Sequence, residues 1–159
     1  MKSLALLFAL SAAAHAAGAD LFSSELARSR TWDDGRAEYD VYAATEIREG
    51  TARPARVVHV IVKEPFDPKA RVKSERPGAV DVLKMNQVID VPTGVYAYHQ
   101  MLSAFWNRSS GDLVKVSLSS NDSCGNAFKE GWPEGGSFRL HFHTYWDGEA
   151  DGDRRIAAP

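Results

Sequence analysis

Apolar residues crowd two adjoining stretches, from Leu83 to Val91 and from Val95 to Trp106, separated by Pro92-Thr93-Gly94. In the second stretch Val95, Ala97, His99, Met101, Ser103 and Phe105 project to one side of a pleat. Tyr96, Tyr98, Gln100, Leu102, Ala104 and Trp106 project to the other. Neither side is polar throughout, so the pattern predicts a hairpin of two long strands covered on both faces by another layer, a ligand or a partner.

The remaining patterns read as strands laid beside that hairpin. Residues 21–32 predict a short amphipathic helix, with Ser23 or Ser24 as N-cap and Phe22, Leu26 and Ala27 turned toward the body of the protein. Asp33-Asp34-Gly35 ends it, and from Arg36 the period falls to two, with Ala37, Tyr39, Val41, Ala43, Thr45 and Ile47 on one side. Glu49-Gly50-Thr51 predicts a hairpin turn into the β-branched run 57–62, a central strand. Three prolines and mixed charges over 63–78 predict a mobile surface loop. Further on, 113–118 alternates, 121–125 is turn-rich, Gly131-Trp-Pro-Glu-Gly-Gly136 reads as a break and 138–146 as the last strand. About seven strands and one short helix make a mainly β chain, an antiparallel and strongly curved sheet or half-barrel.

At 159 residues, without repeats or low-complexity tracts, the chain is a single domain. The N-terminus changes the picture. Lys2, the apolar run 4–14 and the small-residue sites Ala14-His-Ala16 and Ala17-Gly-Ala19 predict a signal peptide over 1–19, cleaved after Ala16 or Ala19, ahead of a domain over 20–159. The apolar run is shorter than the roughly 18 residues a spanning helix needs, so no membrane span is expected. Cys124 is the only cysteine, which excludes an intramolecular disulfide and favours a bacterial periplasmic or secreted protein that relies on packing. A formal net charge of −2 without basic blocks makes nucleic acid a poor partner.

Candidate chemistry is sparse. His141 and His143 leave the same face of one strand and can share a metal ion, as in a metal-dependent hydrolase, if a third ligand such as His59 or His99 converges. Asp147-Gly-Glu-Ala-Asp-Gly-Asp153 begins like a calcium loop, but its twelfth position is Ala158 in place of the bidentate glutamate, and an acidic turn is the simpler reading. Cys124 is expected to be buried where a turn re-enters the sheet, not to act as a nucleophile. Tyr96, Tyr98, Phe105 and Trp106 are candidates to line a site for an apolar ligand, although the same rings also suit a core. No motif demands a cofactor. The reading that follows is a non-enzymatic binding domain for an apolar or lipid-like ligand or a partner segment, with the histidine-based hydrolase as the alternative.

The runs Ile47-Arg-Glu-Gly50, Val82-Leu-Lys-Met-Asn86, Thr93-Gly-Val-Tyr-Ala-Tyr98, Ser123-Cys-Gly-Asn-Ala-Phe128 and Glu149-Ala-Asp-Gly-Asp153 resemble an exported bacterial family of Bacteroidetes type. That family often carries the label "septum formation inhibitor Maf". It is distinct from the cytoplasmic Maf nucleotide pyrophosphatases, whose phosphate-binding motif this chain lacks. The resemblance implies a β-rich periplasmic domain and transfers no catalytic role. It also implies a longer protein, since family members continue past Ile156-Ala-Ala-Pro159. The strand over 138–146 is then expected to stand at an open edge and to promote self-association.

Overall fold

The computed structural model describes residues 25–48 and 50–157. The expected signal peptide, Phe22, the N-cap serines and Ala158 lie outside these residues. A one-turn helix α1 (Glu25–Arg28) and a 3-10 turn (Arg30–Asp33) lead into nine strands. These are β1 (Glu38–Arg48), β2 (Thr51–Asp67), β3 (Val72–Lys73), β4 (Val80–Pro92), β5 (Ala97–Asn107), β6 (Leu113–Asp122), β7 (Gly125–Glu134), β8 (Ser137–Thr144) and β9 (Asp151–Ala157). All pair antiparallel in the order β1-β2-β4-β5-β6-β7-β8-β9, with β3 added to β2. The mainly β class is therefore as expected, and the sheet is open, with β1 and β9 at its edges. No helix among the described residues is long and apolar enough to cross a membrane.

Two strands escaped the pattern reading. The proline-rich stretch after residue 62 is no loop at its start, because β2 runs on to Asp67 and turns back through β3. Strand β9 pairs with β8 from Ser137↔Ala157 to His143↔Asp151, so the strand expected at an open edge is an interior one. The break expected over 131–136 narrows to its last two residues. The β7–β8 turn is Gly135-Gly136, both with positive φ, and Gly131 lies within β7 because the Phe138 ring occupies the space above it. A Cβ there would sit 2.2 Å from that ring. An aromatic ring laid over a cross-strand glycine restores the packing that the glycine lacks.

Register fixes two faces. The front carries Val58, Val60, Val62, Glu64 and Phe66 of β2, the even positions of β4 and the odd positions of β5; the back carries the alternate set. Phe66 and Phe105 are both on the front, separated on a flat sheet by about 13 Å along the strands and about 10 Å across them. Their ring centroids are 5.0 Å apart. The sheet is therefore bent, front inward, along that diagonal. On the back the opposite bend appears: the Arg48 guanidinium of β1 lies 4.0 Å over the Tyr98 ring of β5, three strands away. Bends of opposite sense on the two faces are what a strongly twisted sheet produces.

One end of this saddle is closed on both sides. On the back, Ala27, Trp32 and Leu83 form a buried cluster with Ile61 against it, and Trp32 Nε1 donates to Leu26 O at 2.8 Å. Ala27 is buried as expected, but Leu26 faces solvent, because the short helix offers the sheet only one residue before turning into the 3-10 segment. Arg108 clamps this segment down. Its guanidinium donates to the carbonyls of Ala27 (3.0 Å) and Ser29 (2.6 Å) and to Asp33 Oδ1 (2.6 Å). Those carbonyls are the ones a helix end leaves without an internal partner. Arg108 and Lys63 together hold the Asp33 carboxyl down at about 2.

On the front the same end is covered by the hairpin tip between β2 and β3. Asp67 Oδ1 accepts from the amides of Lys69 and Ala70, which folds the tip, and Arg71 takes a left-handed backbone with φ 59. Its guanidinium then lies 4.0 Å over Trp132 of β7, and Lys115 of β6 donates to its carbonyl at 3.2 Å. Beneath this strap Phe66, Val82 and Phe105 are buried, with Val80 and Val114 against them. A buried carboxylate, Glu64, sits there too, facing Lys84 at 3.4 Å and Lys73 at 3.9 Å.

Candidate functional site

At the opposite end the ladder between β2 and β4 stops early. The last pair is Arg56↔Asp90, and continuing the register would set Ala55 against Val91 and Pro54 against Pro92. Two prolines bring no N–H to that gap, so the strands part there. Strand β2 stays paired with β1 as far as Thr51, and β4 stays with β5 as far as Pro92. Because Arg48 draws the β1–β2 hairpin toward the back, a wedge opens on the front between the two hairpins. It is a cavity of ≈ 520 Å³ walled by Pro54, Ala55, Pro92 and Ala97, with Arg56 and Asp90 at its rim. The rim is an ordered polar set. Arg56 approaches Asp90 at 3.9 Å and Tyr39 Oη at 3.4 Å, Asp90 is hydrogen-bonded to His99 Nδ1, and the His99 amide donates to Asp122 at 3.1 Å. Apolar walls with a cation and a carboxylate at the mouth suit an amphiphilic guest, its chain inside and its polar group at the rim.

The four aromatics singled out in the sequence do not converge. Tyr96 and Tyr98 stand together at the neck of the β4–β5 hairpin, ring edge to ring face with centroids 5.4 Å apart and hydroxyls 3.2 Å apart. Tyr98 is on the back, beneath Arg48, and not on the wedge's side of the sheet. Phe105 is buried in the front cluster at the closed end, and Trp106 is half-buried on the back, across from Leu83. Pro54, Ala55, Pro92 and Ala97 were the residues missed. The available signal was the pair of prolines near the ends of two predicted strands, of which only Pro92 was read, as part of a turn.

His141 and His143 do share the front face of β8, but each meets its own carboxylate. His141 Nδ1 lies 3.6 Å from Asp153, and His143 Nδ1 lies 3.8 Å from Asp151, both on β9. His59 is on the back of β2, bound to Gln87 at 3.0 Å and beside the Tyr42 ring; His99 belongs to the wedge rim three strands from β8. Among the described residues no three His, Cys, Asp or Glu side chains come close enough to hold a metal ion. His141 instead lines a polar cleft of ≈ 480 Å³ beneath the strap. The cleft's charges pair internally: Glu130 with Lys115 (2.7 Å) and Arg71 (3.6 Å), and Asp153 with Arg139 (3.3 Å).

The acidic stretch 147–153 is half turn and half strand. Glu149 binds Lys129 at 2.7 Å, which lowers its pKa, while Asp151 and Asp153 belong to β9 and face β8. Its carboxylates therefore do not gather around one point. Cys124 corrects an expectation: it is exposed. The β6–β7 ladder continues to Asp122↔Gly125, which compresses the connection to Ser123-Cys124 and leaves the thiol on the turn itself, with no hydrogen bond to either imidazole of β8.

No protein-family model, curated protein or solved structure matches the chain.

Proposed function

We propose that this is an exported bacterial binding domain, non-catalytic, that takes an apolar or lipid-like chain into the wedge between the β1–β2 and β4–β5 hairpins. The observation that carries this reading is the wedge itself: an apolar-walled cavity with Arg56, Asp90 and His99 at its mouth, at the end of the sheet where neither helix nor strap intrudes. Arg56 is half-exposed and already hydrogen-bonds to Tyr39, so its guanidinium stands ready for an acyl carboxylate or an ester oxygen. The resemblance to an exported β-rich family accords with a periplasmic or secreted location.

Displacement of a fluorescent hydrophobic dye by dodecanoate tests it. The native protein should release the dye on adding dodecanoate, and Ala97→Trp, which fills the wedge from its exposed wall, should weaken dodecanoate at least tenfold with an unchanged circular dichroism spectrum. Undiminished binding by Ala97→Trp, or no binding by the native protein, contradicts the proposal.

A further inference from the structure

The two edges of the sheet are unlike. Strand β9 is short and strongly charged, with Asp151, Asp153, Arg154 and Arg155 in seven residues, which is how sheet proteins discourage pairing at an edge. Strand β1 is longer and carries its charges more sparsely. It is 11 residues long, its ladder to β2 is regular from Glu38↔Ile61 to Arg48↔Thr51, and it contains no proline. Tyr39, Val41, Tyr42 and Ile47 on it are all exposed. Among the described residues its outer side pairs with nothing. A long, regular edge with exposed apolar side chains is a template for another strand.

The sequence of β1 identifies that strand as β1 of a second copy. A two-fold axis perpendicular to the sheet keeps the front of one copy beside the front of the other, so only registers that pair residues of the same parity are allowed. Centred on Ala44, the pairing sets Asp40 opposite Arg48, Val41 opposite Ile47, Tyr42 opposite Glu46 and Ala43 opposite Thr45, with no like charges facing each other. Centred on Ala43 it would set Asp40 against Glu46, and centred on Tyr42 it would set Glu38 against Glu46. The Ala44 register also makes one apolar band on the front, from Val58 and Val60 of β2 through Val41 and Ile47 and across to the second copy. We infer that the protein forms a symmetric dimer by antiparallel pairing of residues 40–48 of two copies about Ala44, joining the two sheets into one.

Cysteine cross-linking reads this register directly. In a Cys124→Ser background, which removes the exposed native thiol, Ala44→Cys meets its own copy at the separation a disulfide accepts. It should therefore oxidise to a covalent dimer. Ala43→Cys and Thr45→Cys should each cross-link poorly alone and efficiently when mixed, since 43 faces 45. Ser110→Cys, on the exposed turn before β6, supplies the background rate, and circular dichroism confirms that each variant is folded. Sedimentation of the native chain should show a monomer–dimer equilibrium. Equal cross-linking at all positions, a maximum at 42 or 43, or a monomer at every concentration overturns the inference.

Discussion

At one end of the sheet a helical segment lies on the back and a hairpin strap lies on the front, each held by an arginine: Arg108 across the carbonyls of Ala27 and Ser29, Arg71 over Trp132. At the other end two prolines part the strands, and Arg48 pulls one hairpin toward the back. The first arrangement buries Phe66, Val82, Leu83, Phe105 and Trp32; the second leaves a cavity walled by small and cyclic side chains. A single-layered sheet exposes both faces, so it needs cover from somewhere. Here the helical segment and the strap both cover one end, while at the other Val91 and Ala55 are buried without either. The buried clusters under helix and strap and the wedge thereby lie at different ends of the same long strands.

If that division holds, damage to the closed end should cost the most. Replacing Arg108 with Ala strands the carbonyls of Ala27, Arg28 and Ser29 and leaves Asp33 with Lys63 alone, and should destabilise the protein by about 3 kcal/mol in urea unfolding. Arg108→Lys should recover only part of this, because a single ammonium cannot reproduce the planar fork that spans carbonyls and carboxylate together. A loss below about 0.5 kcal/mol would show that the helical segment is not anchored as described.

Next in size is the buried carboxylate under the strap. Lys84→Met removes the nearer of the two ammonium groups facing Glu64 and should cost roughly 2 kcal/mol, since the charge left behind remains buried. Adding Glu64→Leu to Lys84→Met should restore most of that stability, because the pair is then replaced by apolar packing. A double variant as unstable as the single one would mean that Lys84 acts through another contact, such as its approach to the Phe105 ring at 5.4 Å.

The Asp33 latch gives the closed end a pH signature. Its carboxyl is lowered from 3.8 to about 2 by hydrogen bonds from Arg108 and Lys63. Between these values the unfolded chain binds the extra proton, so the contribution is complete above about pH 4 and is lost as pH falls toward 2. Asp33→Asn should flatten the acid limb of the stability profile in that window, measured by urea midpoints at successive pH values. An unchanged acid limb would remove the latch from the account.

Much of the sheet was legible because its signals are local. The hairpin around Pro92-Thr93-Gly94, the reversal between Arg48 and Thr51 and the alternation in β1 are fixed by neighbouring residues, and the ladders follow them. What escaped reading depends on distant partners. Strand β9 looks like an acidic tail until His141 and His143 lie opposite Asp153 and Asp151 and Arg139 reaches Asp153 diagonally. Arg108 looks like one more polar residue before a turn until α1 arrives 80 residues away in the chain. The wedge needs Pro54 and Pro92 in register, and no local pattern states a register. Cys124 was misread because the ladder runs two residues further than turn-forming residues alone suggest. The smallest expected effect follows from that correction: Cys124→Ser should change stability by less than about 0.5 kcal/mol. The native thiol should also react with an alkylating reagent as fast as in the unfolded chain; slow alkylation would return it to the interior.

The division between the ends is tested most directly by following backbone amides in ¹H–¹⁵N spectra while dodecanoate is added below its micelle concentration. Shifts should gather at Ala55, Arg56, Asp90, Val91 and Ala97, around the wedge, while Leu83, Phe105 and the Trp32 indole stay in place. Shifts centred on Trp132 and His141, or spread evenly over both ends, would contradict it.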